Sequence, residues 1–104
     1  MQCAVLTYEL ARKLPRNEEY GLASQLRRAA VSIPSNIAEG HQQQGKNYRR
    51  FVVMALGSVA ELQTQLDIAE RVGLVSSVDV EPVRALSIRV RQVLHGLKRS
   101  LPNR

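Results

Sequence analysis

Residues 25 to 40 read QLRRAAVSIPSNIAEG, and their spacing decides the fold class. Leu22, Leu26, Ala29, Ala30, Ile33 and Ile37 recur at three- and four-residue steps, which puts them on one face of an α-helix. Gln25, Arg28, Ser32, Asn36 and Glu39 repeat that spacing on the neighbouring stripe. A merely solvated face needs no such order. Pro34 interrupts the pattern. It has no amide to offer the Ala30 carbonyl, so a kink is predicted there, or a break recapped by Ser35 or Asn36.

Working outward, this helix is predicted to begin near Glu18 and Glu19, whose charges suit the positive end of the dipole, and to run towards Gln44. Before it, a helix is predicted from residue 2 to Leu14, with Val5, Leu6, Leu10 and Leu14 inward and Pro15 ending it. A third runs from near Asn47 to Val72, with Tyr48, Phe51, Ala55, Val59, Leu62, Leu66 and Ala69 as its seam and Gly73 as its stop. A fourth follows the capping residues Ser76, Ser77 and Asp79, carries Pro82 in its first turn and stops near Leu101 and Pro102. Its seam is Val83, Leu86, Val90, Val93, Leu94, Leu97 and Leu101. No stretch alternates β-branched and aromatic residues. The chain therefore reads as all-α. Short connections between amphipathic helices imply an up-and-down antiparallel four-helix bundle, with residues 1–104 as one domain.

The helices are unequal. At 1.5 Å per residue the second and third would each reach about 40 Å, and the first about half that. Part of the core would lie open. Phe51 to Ala60, FVVMALGSVA, is apolar almost all round, while Val31 and Ala38 add apolar surface away from the Leu22 and Ile33 face. A lone bundle keeps a wet face on every helix, so the chain is expected to be a homo-oligomer.

Composition narrows the setting. Of 104 residues, 44% are apolar, and there is a single cysteine. Cys3 cannot form an internal disulfide, and it is expected to be a bystander at a frayed terminus. His41 and His95 match no zinc spacing. The opening MQCAVLTYELARKLP carries an acid and no long apolar run, and eighteen consecutive apolar residues occur nowhere. A cytoplasmic protein without a membrane role is expected. The net charge is +6, and twelve of the fifteen cations are arginine. That bias favours phosphate binding over simple solubility.

Reaction chemistry is absent from the pattern. Gly40 to Asn47, GHQQQGKN, comes close to a phosphate loop, yet Asn47 stands where Ser or Thr would hold magnesium and no strand precedes it. A helix-to-helix turn using both glycines for termination is the better reading. No glutamate has a histidine three residues on, as a di-iron site in a bundle requires, and Ser32, Ser35 and Ser58 lack a base at a recognisable spacing. No catalytic residue, metal or cofactor is assigned. The ladder Gln25, Arg28, Ser32, Asn36 and Glu39 contains both charge signs and amides able to satisfy one another, so it reads as a buried or interfacial network that fixes register, with Arg28 and Glu39 as its charged ends.

Positive charge collects at Arg12, Lys13 and Arg16, at Lys46, Arg49 and Arg50, and along the last helix, which has no acid after Glu81. Lys98 and Arg99 suit a helix C-terminus. Arg84, Arg91 and Lys98 repeat every seven residues. Lys46, Arg49 and Arg50 start the third helix, where positive charge opposes the dipole and calls for an anion: Glu39, another subunit's acid, or a phosphate. With three tyrosines, one phenylalanine and no tryptophan, base stacking is scarce. Lys46, Arg49, Arg50, Arg84, Arg91, Lys98 and Arg99 are therefore the candidate contacts to the phosphates of RNA or DNA.

QLRRAAVSIPSNIAEG followed by FVVMALGSVAELQTQL resembles the four-helix bundle protein family, also called the 23S rRNA intervening-sequence protein family. The resemblance runs from about Tyr8 to Val75. It implies an up-and-down bundle assembled as a homopentamer, with a first helix shorter here than is typical. Members of that family are often encoded inside insertions in large-subunit ribosomal RNA genes, and a related group serves diversity-generating retroelements as basic barrels contacting nucleic acid and a reverse transcriptase. The family has no established biochemical activity. The expectation is a non-catalytic oligomer that binds nucleic acid through its backbone, with a protein-interaction scaffold or accessory subunit of a nucleic-acid enzyme as the alternative.

Overall fold

Helical periodicity becomes four α-helices in the computed structural model, which describes residues 1–18, 21–43 and 47–102. They are α1 (Gln2–Arg12), α2 (Leu22–Gln42), α3 (Tyr48–Arg71) and α4 (Ser77–Ser100), with one 3-10 turn at Arg16–Glu18. No strand occurs among the described residues. Each helix packs on its neighbours in the chain and α1 also meets α4, while the backbones of the two diagonal pairs stay farther apart. The result is a closed square of helices measuring 43 × 22 × 18 Å.

Side-chain pairs fix the directions. Ser32 bonds Ser58 across α2 and α3 at 2.7 Å, and Gly40 abuts Phe51, so those two helices run antiparallel. Gln63 bonds Ser87 and Asp67 meets Arg84, which reverses α4 against α3. Lys13, just after α1, pairs with Asp79 in the first turn of α4 at 3.0 Å.

The core follows the ladders. Leu26, Val52, Ala55, Val59, Leu62, Leu66, Ala69 and Val80 are wholly buried. Several seam residues differ from expectation. Val52, Val80 and Ser87 are buried where Tyr48, Leu86 and Val90 are only partly so, and Val93 is 68% exposed. In α1 the inward face is Cys3, Thr7, Leu10 and Ala11, while Val5 points out. Cys3 is therefore no bystander. Its side chain lies in the core, its carbonyl accepts from the Thr7 hydroxyl at 2.7 Å, and burial pushes its thiol pKa up.

Ends are set by local chemistry. Past α3, Gly73 adopts φ +79°, its amide reaches the Glu70 carbonyl and the Leu74 amide reaches that of Ala69. This crossed pair closes the helix by a Schellman motif, which a residue with a Cβ resists. Ser76 caps α4 by accepting from the Asp79 amide at 3.2 Å. Two boundaries move inward: α1 stops at Arg12, although Leu14 stays buried, and α2 begins at Leu22, leaving Glu18 in the 3-10 turn. Pro82 lies a turn deeper in α4 than expected, and its missing amide would have served the carbonyl of Val78, an exposed residue.

α2 is continuous through Pro34, so the alternative of a break recapped by Ser35 or Asn36 is not adopted. The Asn36 amide instead donates backward to the Ser32 carbonyl at 2.9 Å. Gly40 also differs from its reading as a helix stop. It sits inside α2, buried, where a Cβ would come within 2.7 Å of the Phe51 Cβ. The glycine permits close approach of α2 and α3, and the first glycine of GHQQQGKN is helical rather than part of a loop.

Candidate nucleic-acid interface

Antiparallel packing sorts the charges by end. Where α2 and α4 finish and α3 starts, the described residues include Arg49, Arg50, Lys98 and Arg99, with His41 and His95 beside them and Glu39 as the single acid. Glu39 accepts from the Gln43 amide at 3.3 Å, and the Gln43 carbonyl oxygen in turn accepts from Asn47 at 2.9 Å. Among the described residues it forms no ion pair with Arg49 or Arg50. His41 is exposed and meets the edge of Tyr48, ring centres 5.8 Å apart. The first turn of α3 contains no acid and no side-chain cap. Lys46 lies outside the described residues.

At the opposite end Arg84 and Lys13 are paired with carboxylates, while Arg12, Arg16 and Arg71 form no ion pair among the described residues. Arg84 reaches Glu70 at 2.6 Å, Asp67 at 3.1 Å and Glu81 at 3.3 Å, and these carboxylates hold its guanidinium pKa above the ordinary value. Three of its five N–H donors go to carboxylates whose charge offsets its own, which leaves Arg84 the most heavily compensated of the candidate cations. Spacing suggested otherwise because the heptad repeat of Arg84, Arg91 and Lys98 follows α4 but cannot show which carboxylates α3 brings across. Lys13 is likewise matched to Asp79, whose carboxyl pKa it lowers chiefly through their hydrogen bond.

Arg91 lies midway along the bundle, exposed, donating to the Gln63 side chain at 3.3 Å. Gln63 also donates to Ser87, whose hydroxyl donates to the Arg84 carbonyl at 2.7 Å. Gln63 and Ser87 thus join α3 to α4, and their polar character gave no sign of it in an apolar seam.

The polar ladder divides. Ser32 and Asn36 form its centre, where Asn36 donates to the Ser32 hydroxyl at 3.0 Å and Ser32 meets Ser58. Gln25, Arg28 and Ser32 line a groove of about 550 Å³ whose other wall is Ser58, Glu61 and Gln65 of α3. Arg28 and Glu39 do not bond to each other; about three turns of helix separate them, and Arg28 and Glu61 line the same groove from opposite walls. The Gln65 side-chain oxygen is buried without a partner. Glu61 and Gln65 escaped the sequence reading, although polar residues at 58, 61 and 65 answer the spacing of 32, 28 and 25 in reverse.

Four helices, an interhelical polar network and no group of three or more potential metal ligands among the described residues define a bundle protein whose distinctive surface is its charge. The chain belongs to the family of 23S rRNA-intervening sequence proteins, whose model matches residues 1–96. A solved structure shares the fold: a protein of unknown function from the S23 ribosomal protein family of Bacteroides thetaiotaomicron, 22% identical, with a TM-score of 0.85 over 93% of this chain and 92% of that one. Comparison with curated proteins gives no match. No helix among the described residues is long and apolar enough to cross a membrane.

Proposed function

We propose that the protein is a non-catalytic homo-oligomer that binds RNA or DNA through the phosphate backbone, using the end of the bundle marked by Arg49, Arg50, Lys98 and Arg99, with Lys46 and Arg91 alongside. The observation that carries this reading is the separation of charge: four described cations against one acid at that end, whereas Asp67, Glu70, Asp79 and Glu81 lie among the cations of the other and pair with Arg84 and Lys13. Arginine forks suit phosphate oxygens, and the uncapped first turn of α3 adds amides and a positive dipole end. Few aromatic residues are available for stacking, so the contacts are to backbone rather than bases.

Assembly belongs to the same reading. A ring repeats a weak basic patch and converts it into a strong one. Five copies are what the family resemblance implies, and the exposed apolar residues Val53 and Met54 supply a motive for burial. Within each copy, a bend in α2 at Pro34 accommodates the loss of one helix hydrogen bond. Cytoplasmic placement suits an RNA partner. Binding to ribosomal RNA fragments, followed by fluorescence anisotropy across a salt series, tests the function: affinity falling by about 0.7 to 0.9 log units per phosphate contact for each decade of salt is the expected result. Absent or salt-independent binding overturns it.

A further inference from the structure

The groove between α2 and α3 stands apart from the basic end, on the side of the Ser32 and Ser58 bond where α2 starts and α3 finishes. That bond sets its register. Counting outward in opposite directions along the two helices puts Arg28 about level with Glu61, and Gln25 level with Gln65. Buried Ala29 and Ser58 form the floor, and exposed Gln25, Arg28 and Glu61 form the rim.

Its polar groups are unusual in being unmatched. Arg28 and Glu61 stand on facing walls with opposite charge, yet among the described residues neither side chain has an ion pair or hydrogen bond, and the Gln25 side chain has none either. The Gln65 side-chain oxygen is buried and accepts nothing. Gln63, two residues earlier on the same helix, shows the contrast: it bonds both Ser87 and Arg91. A buried acceptor without a donor costs free energy, and most such groups in folded proteins are satisfied. Rotation about the soft terminal torsion of Gln65 turns either end of its amide to the groove.

These groups define a ligand by its charges. A lone anion would meet Arg28 but be repelled by Glu61, and a lone cation would suffer the reverse. One molecule with both charges satisfies both walls. Its cationic part must donate N–H bonds, because Glu61 and the Gln65 oxygen are acceptors. Ala29 is the single apolar lining residue and no aromatic ring is present, so a nucleobase would have nothing to stack on. The volume of about 550 Å³ lies within the roughly 300–1,000 Å³ of small-molecule sites.

We propose that this groove binds a free α-amino acid with a polar side chain, its carboxylate on Arg28 and Gln25 and its ammonium donating to Glu61 and the Gln65 oxygen. The side chain of the ligand then lies over the Ser32 and Ser58 hydroxyls. In the polar ladder, Ser32 and Asn36 hold α2 while Gln25 and Arg28 serve the ligand.

Calorimetric titration of the full chain with each polar L-amino acid tests it, with glycine betaine as the control. Saturable binding of at least one amino acid, at one site per chain, is the expected result. Betaine has the same two charges but no N–H donor, and it should bind at least about tenfold more weakly. Arg28→Met and Glu61→Gln change exposed rim positions and should each weaken the amino acid about ten- to a hundredfold at unchanged helicity. Gln65→Leu removes the orphan acceptor, so it should weaken binding while thermal stability is kept or raised. No binding at millimolar concentration, equal affinity for betaine, or variants at Arg28 and Glu61 that bind as wild type does would each overturn the proposal. So would a loss of stability shared by those two variants without any amino acid binding, since Arg28 and Glu61 would then be partners of one another.

Discussion

The two ends of this bundle contain similar side chains in different company. Where α3 closes and α4 opens, Arg84 meets three carboxylates and Lys13 meets Asp79. Where α3 opens and α4 closes, Arg49, Arg50, Lys98 and Arg99 meet no carboxylate among the described residues. One end uses charge to hold helices together. The other is held by packing, with Gly40 against Phe51, and leaves its charge for solvent or ligand. A net charge of +6 is therefore a property of place as well as of composition.

The largest expected effect comes from neutralising the unpaired end. Changing Arg49, Arg50, Lys98 and Arg99 together to glutamine should lower affinity for an RNA duplex about a thousandfold at 0.1 M salt, as four lost phosphate contacts imply. Arg12, Lys13 and Arg16 changed to glutamine at the other end should alter it less than about threefold, since that end is balanced. Equal losses in anisotropy titrations would erase the distinction between the ends.

Stability separates the ends next. Gly40→Ala forces a methyl group to within 2.7 Å of the Phe51 Cβ, so denaturant unfolding should show a loss of about 1–3 kcal/mol from overpacking. At the balanced end, Arg84→Met should cost about 1–2 kcal/mol, because short charge-assisted bonds are lost but the pairs are partly solvated. Arg99→Met, with no carboxylate partner, should change stability by less than about 0.5 kcal/mol. A similar loss for the two arginines would show that the pairs around Arg84 do little.

The smallest effect concerns pH. Asp79 has a carboxyl pKa held below its ordinary value by Lys13, so its contribution is present above the unfolded carboxylate range and is lost as pH falls through the lowered folded value. The Asp79→Asn variant should lose less stability than wild type between pH 5 and about pH 3, with the two curves parallel above that range. Its exposure keeps the difference slight.

Helical ladders announced the fold because burial imposes periodicity on every helix. Leu26, Ala29 and Ile33 could only be one face, and Pro15, Gly73 and Ser76 punctuate the chain by backbone chemistry that is local. Rotation of each helix was less legible. Small and polar residues such as Thr7, Ser58 and Ser87 are buried as completely as valine, and an apolar scan gives them no weight. Partnership between helices was least legible. Arg84 and Arg99 look alike in sequence, and only the antiparallel register of α3 and α4 brings Asp67 and Glu70 to one of them. The polar ladder was visible, but Arg28 shares a groove with Glu61 of α3 rather than joining Glu39.

The most direct measurement is the slope of log affinity against log salt for RNA binding by three proteins: wild type, the quadruple variant at the basic end and the triple variant at the balanced end. The quadruple variant should lose about three units of slope, while the triple variant keeps the wild-type value. A wild-type slope near zero, or a slope that the quadruple variant leaves unchanged, would contradict the claim that this end of the bundle binds phosphate.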